Sequence, residues 1–118
     1  MKIYLAGPMR GMPYFNFPVF AAVTEDLRSQ GQEVFSPAEQ DIQTLQVDIS
    51  VDNPMGDLEQ AVTQHGFNLR DAMARNMAWI CAQAEMVVLL PGWKRSLGAQ
   101  AEVALARALG LDIGEYEC

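Results

Sequence analysis

Two cysteines and one histidine are all that this chain offers a soft or borderline metal ion. Cys81, Cys118 and His65 match no ligand spacing, so no metal site is expected and no organic cofactor is implied. Cysteine is also too scarce for a disulfide framework, which points to a reducing, cytoplasmic setting. Cys81 lies in an apolar helical context and is expected in the core, and the terminal Cys118 is expected to be free. Positive charge is short as well: eight Lys and Arg stand against fifteen Asp and Glu, a net charge of −7. Neutralising a nucleic-acid polymer requires a basic surface, so that partner is excluded, whereas a small phosphorylated ligand needs only a few local cations and backbone N–H groups. No apolar run approaches the roughly 18 residues of a membrane span. The run from Met1 to Pro8 is too short for a signal peptide and turns at once into Gly-Pro. A complete G-x-G-x-x-G fingerprint is missing, which ranks a dinucleotide such as NAD low among ligands.

What is present is a chain of 118 residues, half of them hydrophobic and 19% charged. That is enough for one packed domain over residues 1–118 and too apolar for disorder. Ile3 to Ala6, closed by Gly7-Pro8, reads as a buried strand. Residues 18–30 place Phe20, Val23 and Leu27 at helical spacing, with Gly31 as the stop. Glu33 to Phe35 reads as a second strand, stopped by Ser36-Pro37. Residues 38–67 show no clear period and read as a long loop, functional or partly mobile, with room for a short helix near Gly56 to Gln64. Asn68 caps a helix to Ala84 with Leu69, Met73, Met77 and Ile80 as its apolar stripe. Glu85 to Leu90 is a near-continuous apolar run, as in a buried parallel strand. An alanine-rich helix from Leu97 to Leu109, ended by Gly110, precedes a last strand over residues 111–116. Alternating strands and helices predict an α/β fold: a three-layer open parallel sheet of four to five strands with helices on both faces, flavodoxin-like or Rossmann-like. Ligands of such sheets bind beyond the carboxyl ends of the strands.

Three constellations fall there. Gly7-Pro8-Met9-Arg10-Gly11 follows the first strand; its glycines let backbone N–H groups approach a ligand, and Arg10 can grip phosphate or carboxylate through two N–H groups. The plain alternative is a turn with a solvated arginine. Ser96-Leu97-Gly98-Ala99-Gln100-Ala101-Glu102 opens the alanine-rich helix. Ser96 suits an N-cap, the helix start suits an anion, and Glu102, about one turn in, is an isolated acid among small residues. The plain alternative for Glu102 is a carboxylate that complements the helix dipole. Glu39, Asp41 and Asp71 form the third set, each more simply a solvated or capping acid. Trp93, after Pro-Gly, is expected to line a cleft, with Tyr14, Phe15 and Phe17 nearby. Tyr4, inside the strand, is expected in the core. His65 reads as a surface imidazole, and Lys94-Arg95 as a solvated pair or a phosphate contact.

Ile3-Tyr4-Leu5-Ala6-Gly7-Pro8, a strand ending in Leu-Pro-Gly-Trp, and Ser96-x-Gly98-x-x-x-Glu102 together resemble the nucleoside 2-deoxyribosyltransferase-like superfamily. The likeness runs from Ile3 to about Gly110 and is nearest to a small branch common in bacteria and their phages. It implies that Glu102 is a nucleophile. Attack on the anomeric carbon of a nucleoside or its 5′-monophosphate would form a glycosyl ester, resolved by water or a second base. It also implies 5′-group contacts from Arg10, Ser96 and Gly98, beside the candidate binding glycines Gly7 and Gly11, and a homo-oligomer in which Tyr116 or Glu117 reaches a neighbour's pocket. The chain departs from the pattern at Asn76, where relatives carry an aspartate; an amide can orient a hydroxyl or a base edge but cannot protonate a leaving base. Asp41 is then the expected second acid, Asp71 being a poor substitute five residues from Asn76 on the same helix. Two readings follow: an N-glycosidase or deoxyribosyltransferase, or a non-catalytic nucleotide-binding protein on the same fold.

Overall fold

The computed structural model describes residues 1–117, and the expectation for Cys118 lies outside them. Four strands, β1 (Lys2–Ala6), β2 (Glu33–Phe35), β3 (Met86–Leu89) and β4 (Asp112–Glu115), form one sheet in the order β2-β1-β3-β4. Every neighbouring pair is parallel. Side chains alternate between the faces, as strand geometry demands. Ile3, Leu5, Val34, Val88 and Leu90 enter one core; Tyr4, Ala6, Phe35, Val87 and Leu89 enter the other. The first core is closed by α1 (Phe17–Ser29) through Phe20, Val23 and Leu27. The second is closed by α4 (Leu69–Ala82) through Ile80 and by α5 (Leu97–Ala108) through Ala99, Val103 and Ala106. The result is the three-layer α/β arrangement expected of the pattern, with four strands. None of the helices of the described residues is long and apolar enough to cross a membrane.

About half of the stretch read as an aperiodic loop is helical. It carries α2 (Pro37–Leu45) and α3 (Leu58–His65), the latter close to where a short helix had room. Ser36-Pro37 does not merely stop β2. Ser36 is the N-cap of α2 and accepts from the Glu39 N–H, Pro37 takes the first turn where its missing N–H costs nothing, and Glu39 complements the dipole. The apolar period was masked because α2 buries an aspartate, Asp41, beside Pro37 and Ala38. Between α2 and α3 the chain folds on Asn53, which is almost fully buried and exchanges two hydrogen bonds of 2.8 Å with the Asp57 backbone.

Two further expectations for α4 are corrected. The buried face is Ala72, Asn76 and Ile80, while Leu69 is 39% exposed. Cys81 is exposed, not in the core, because it sits about 100° around the helix from Ile80. His65 is no free surface imidazole: its Nε2 lies 3.1 Å from Asp52 Oδ2.

The chain leaves β1 towards β2 on one side and later returns to place β3 on the other side. The carboxyl ends of β1 and β3 therefore diverge into a crevice, the position where open parallel sheets take ligands. Gly7 makes this close approach feasible, since a Cβ there would stand 2.7 Å from Leu90 Cβ.

Candidate active site

A cleft of about 360 Å³ opens at this crevice. One wall is the chain after β1, Gly7 to Met12 with Phe15 and Phe17; the second is the start of α5 with Arg95, Ser96, Leu97, Gly98, Ala99 and Glu102. The third comes from α2 and α4, with Asp41, Ala72, Met73 and Asn76, closed by Ile49, Leu58 and Phe67 from the middle of the chain. The middle segment is thus part of the site. It is tied to the first wall where the Gly11 N–H donates to Gly56 O at 2.8 Å. The backbone contact there is so close that a Cβ on Gly56 would lie 2.2 Å from Met12 O. The hydrogen bond also means that Gly11 shapes the cleft without offering its N–H to a ligand.

Glu102 lies in the second turn of α5, on the face packed against the sheet, and is 5% exposed. It does not complement the helix dipole at the first turn. Its Oε2 accepts a very short hydrogen bond from the Tyr4 hydroxyl, and the amide of Asn76 is placed to donate to the same carboxyl. The ion pairs among the described residues join Arg28 to Glu39, His65 to Asp52 and Arg75 to Asp41, and none reaches Glu102. Burial without a cation pushes its carboxyl up from 4.5 to about 7, against the two hydrogen bonds that favour the anion. Tyr4 is fully buried, stacked 5.5 Å from Phe35, and its hydroxyl is pushed well above its ordinary range by burial and by the charge of Glu102. It therefore remains a donor at any physiological pH. Tyr4 is in the core as expected, but its hydroxyl serves the cleft, which an apolar strand pattern does not reveal.

Asp41 is 4% exposed in the third wall. Burial raises its carboxyl from the ordinary value, and Arg75, whose Nη2 donates to Oδ1 at 2.9 Å, opposes that rise. Arg75 also donates to Asn76 Oδ1, from Nε at 3.2 Å and Nη2 at 3.0 Å. Nothing in the sequence had distinguished this arginine from others on helical surfaces. Asp71 is exposed in the first turn of α4, where its N–H is capped by Asn68, and it does not line the cleft.

Ser96 caps α5 by accepting from the Ala99 N–H at 3.1 Å. The N–H groups of Leu97 and Gly98 have no acceptor within the helix and face the cleft end of the dipole. A Cβ on Gly98 would make ordinary van der Waals contact with Met73 Sδ at 3.8 Å and Ser96 Oγ at 3.9 Å. Arg10 is exposed, lines the cleft and makes no ion pair among the described residues. Arg95 joins it on the cleft wall, whereas Lys94 rides over Trp93 at 5.9 Å. Trp93 does not line this cleft: the tight turn over residues 93–95 sets it in a separate pocket, where its Nε1 donates to Glu115 at the end of β4. Tyr116 donates to Asp26 of its own chain at 2.5 Å. Among the described residues no cluster of His, Cys, Asp and Glu has the makings of a metal site.

The arrangement presents a desolvated carboxyl at the floor of the cleft, a second buried carboxyl in the wall, and free N–H groups with two guanidinium groups towards the rim. A family model described as Domain of unknown function (DUF4406) matches residues 1–115. No curated protein and no solved structure matches the chain.

Proposed function

We propose that this chain, which belongs to the DUF4406 family, cleaves or transfers the N-glycosidic bond of a (deoxy)nucleoside, preferentially as its 5′-monophosphate, through Glu102. The observation that carries this reading is the Glu102 carboxyl, buried at the floor of the strand-end cleft and held by neutral donors only. A carboxylate neutralised by a cation is a poor nucleophile and a poor partner for an oxocarbenium-like centre; one held by a phenol and an amide keeps its charge for the ligand. With Tyr4 holding Oε2, the carboxylate attacks C1′. The C1′–N bond breaks with its electron pair going to the base, and a C1′–O ester forms. Asp41 supplies the proton to the leaving base, because it is the other acid of the cleft wall and burial raises its carboxyl against the pull of the Arg75 pair. Water, or a second base, then attacks C1′; its proton returns to Asp41, and Glu102 leaves as the carboxylate.

The preference for a 5′-monophosphate rests on the opposite end of the cleft. From Gly98 to Glu102 the helix rises about 6 Å, comparable to the span from an anomeric carbon to a 5′-phosphate. The N–H groups of Leu97 and Gly98, with Arg10 and Arg95, suit that anion. The apolar wall of Met9, Met12, Phe67 and Met73 suits a planar base.

Incubating the protein with a panel of nucleosides and 5′-monophosphates, with free base read by chromatography, tests the proposal. Base release that is absent from Glu102→Ala is expected; equal release from both proteins, or none from either, overturns it. A second reading is favoured by Asn76, whose carbonyl is committed to Arg75 and which cannot protonate a leaving base: a protein that binds the nucleotide without turning it over. Stoichiometric nucleotide recovered intact after denaturation distinguishes it.

A further inference from the structure

The residue that resolves the role of Asn76 is its neighbour. Arg75 and Asn76 adjoin on α4, and the guanidinium folds back so that two of its nitrogens donate to Asn76 Oδ1 while Nη2 also reaches Asp41 Oδ1 on α2. An arginine carries five N–H donors and no acceptor, so the atom it touches twice must be the amide oxygen. The amide nitrogen is then the group left to serve the cleft that Asn76 shares with Glu102, where its donation favours the carboxylate. An asparagine side chain without such a neighbour has two nearly isosteric orientations. Turned one way it donates and favours a carboxylate; turned the other it presents oxygen and favours the protonated acid.

We propose that Arg75 is a positioning residue: anchored on Asp41, it locks the Asn76 amide with its N–H₂ towards Glu102 and so keeps Glu102 as the anion that faces the ligand. The two carboxyl groups and the amide come from three helices, α2, α4 and α5, so this one guanidinium ties the cleft walls together. It also accounts for an amide at position 76. A carboxylate there would pair with Arg75 and set a second negative charge beside Glu102. The inference rests on the proposed reading of Glu102 for its consequence in catalysis, but the lock itself is testable without substrate.

The groups that face Glu102 are Tyr4 from β1 and Asn76 from α4, with Arg75 and Asp41 behind the amide and Arg10 and Arg95 along the same cleft. The experiment is a double-mutant cycle read by the ¹³Cδ titration of Glu102 in glutamate-labelled protein, using Arg75→Met, Asn76→Ala and the pair. Arg75→Met is expected to raise the midpoint by about one pH unit, a tenfold loss of anion well below it, and to do so only when Asn76 is present. If Arg75 acts through its charge alone, the same rise appears in the Asn76→Ala background, and the proposal is overturned; no rise in either background overturns it as well. Arg75→Lys, which keeps the charge but cannot span both oxygens, is expected to resemble Arg75→Met. Should Arg75→Met fail to fold, Asp41→Asn and Arg75→Lys complete the cycle with the same two outcomes. A wild type that releases no base in the panel above sinks the reading of the reaction while leaving the titration result standing.

Discussion

The Tyr4 hydroxyl in β1 donates to Oε2 of Glu102 in α5, across a sequence separation of 98 residues. This pairing joins the first strand of the sheet to the last helix and orients the carboxyl in the cleft. Tyr4→Phe keeps the ring stacked on Phe35 but removes a donor that favours the anion. The Glu102 midpoint is then expected to move up. Base release at pH 7 should fall about tenfold and recover at higher pH, which a pH profile of kcat/KM measures. A profile that keeps its wild-type acid limb contradicts the pairing.

Glu102→Gln should change the pH dependence of stability as well as activity. The folded pKa, raised from 4.5 to about 7, means that the native state holds a proton the unfolded chain has lost. The associated stability is fully present below about 4.5 and is lost as pH rises through 7. At roughly 1.4 kcal/mol per pH unit the loss is about 3 kcal/mol. Urea midpoints at pH 5 and pH 8 should show the variant gaining on the wild type by that order. The comparison cancels Asp41, whose raised carboxyl acts in the same direction, and Glu39, whose depressed one acts in the opposite direction.

Arg10→Ala separates the phosphate end of the cleft from its floor. The side chain is exposed and unpaired among the described ion pairs, so the fold should lose little. KM for a 5′-monophosphate is expected to rise about tenfold, with the parent nucleoside unaffected. Equal effects on both substrates would place the phosphate elsewhere.

Gly56→Ala tests whether the middle segment is built into the site. At φ +64 a side chain is strained, and its Cβ would collide with the Met12 carbonyl at 2.2 Å. The wall carrying Met12 must shift, at a cost of at least about 2 kcal/mol. A lowered denaturation midpoint together with weakened nucleotide affinity is expected; unchanged affinity would show that the segment only covers the cleft.

Glu102 stood out as a carboxylate alone among alanines, but the residues by themselves favoured an acid that complements the helix dipole, and the resemblance singled it out. Ser96, Gly98 and Arg10 followed from their positions beside strand ends. Arg75 was not legible, since Arg70, Arg75 and Arg107 look alike as helical surface cations until one is seen to bend onto Asp41 and Asn76. Trp93 misled for the converse reason: a Pro-Gly turn promises a cleft residue, yet the turn after it decides on which side the ring emerges. In α2 the burial of Asp41 broke the apolar pattern that would have announced a helix.

The alternation of apolar runs, capping residues and glycine stops determined by itself the α/β class, the parallel sheet and the strand ends that carry the cleft. These depend on backbone preference and on the period of burial, both of which are local. Tertiary structure alone decided the environment of the carboxyl. Tyr4, Asp41, Arg75, Asn76 and Glu102 meet from four separate elements, and a pKa near 7 arises from desolvation and from the direction of each donor, quantities that exist only once the helices have packed against the sheet.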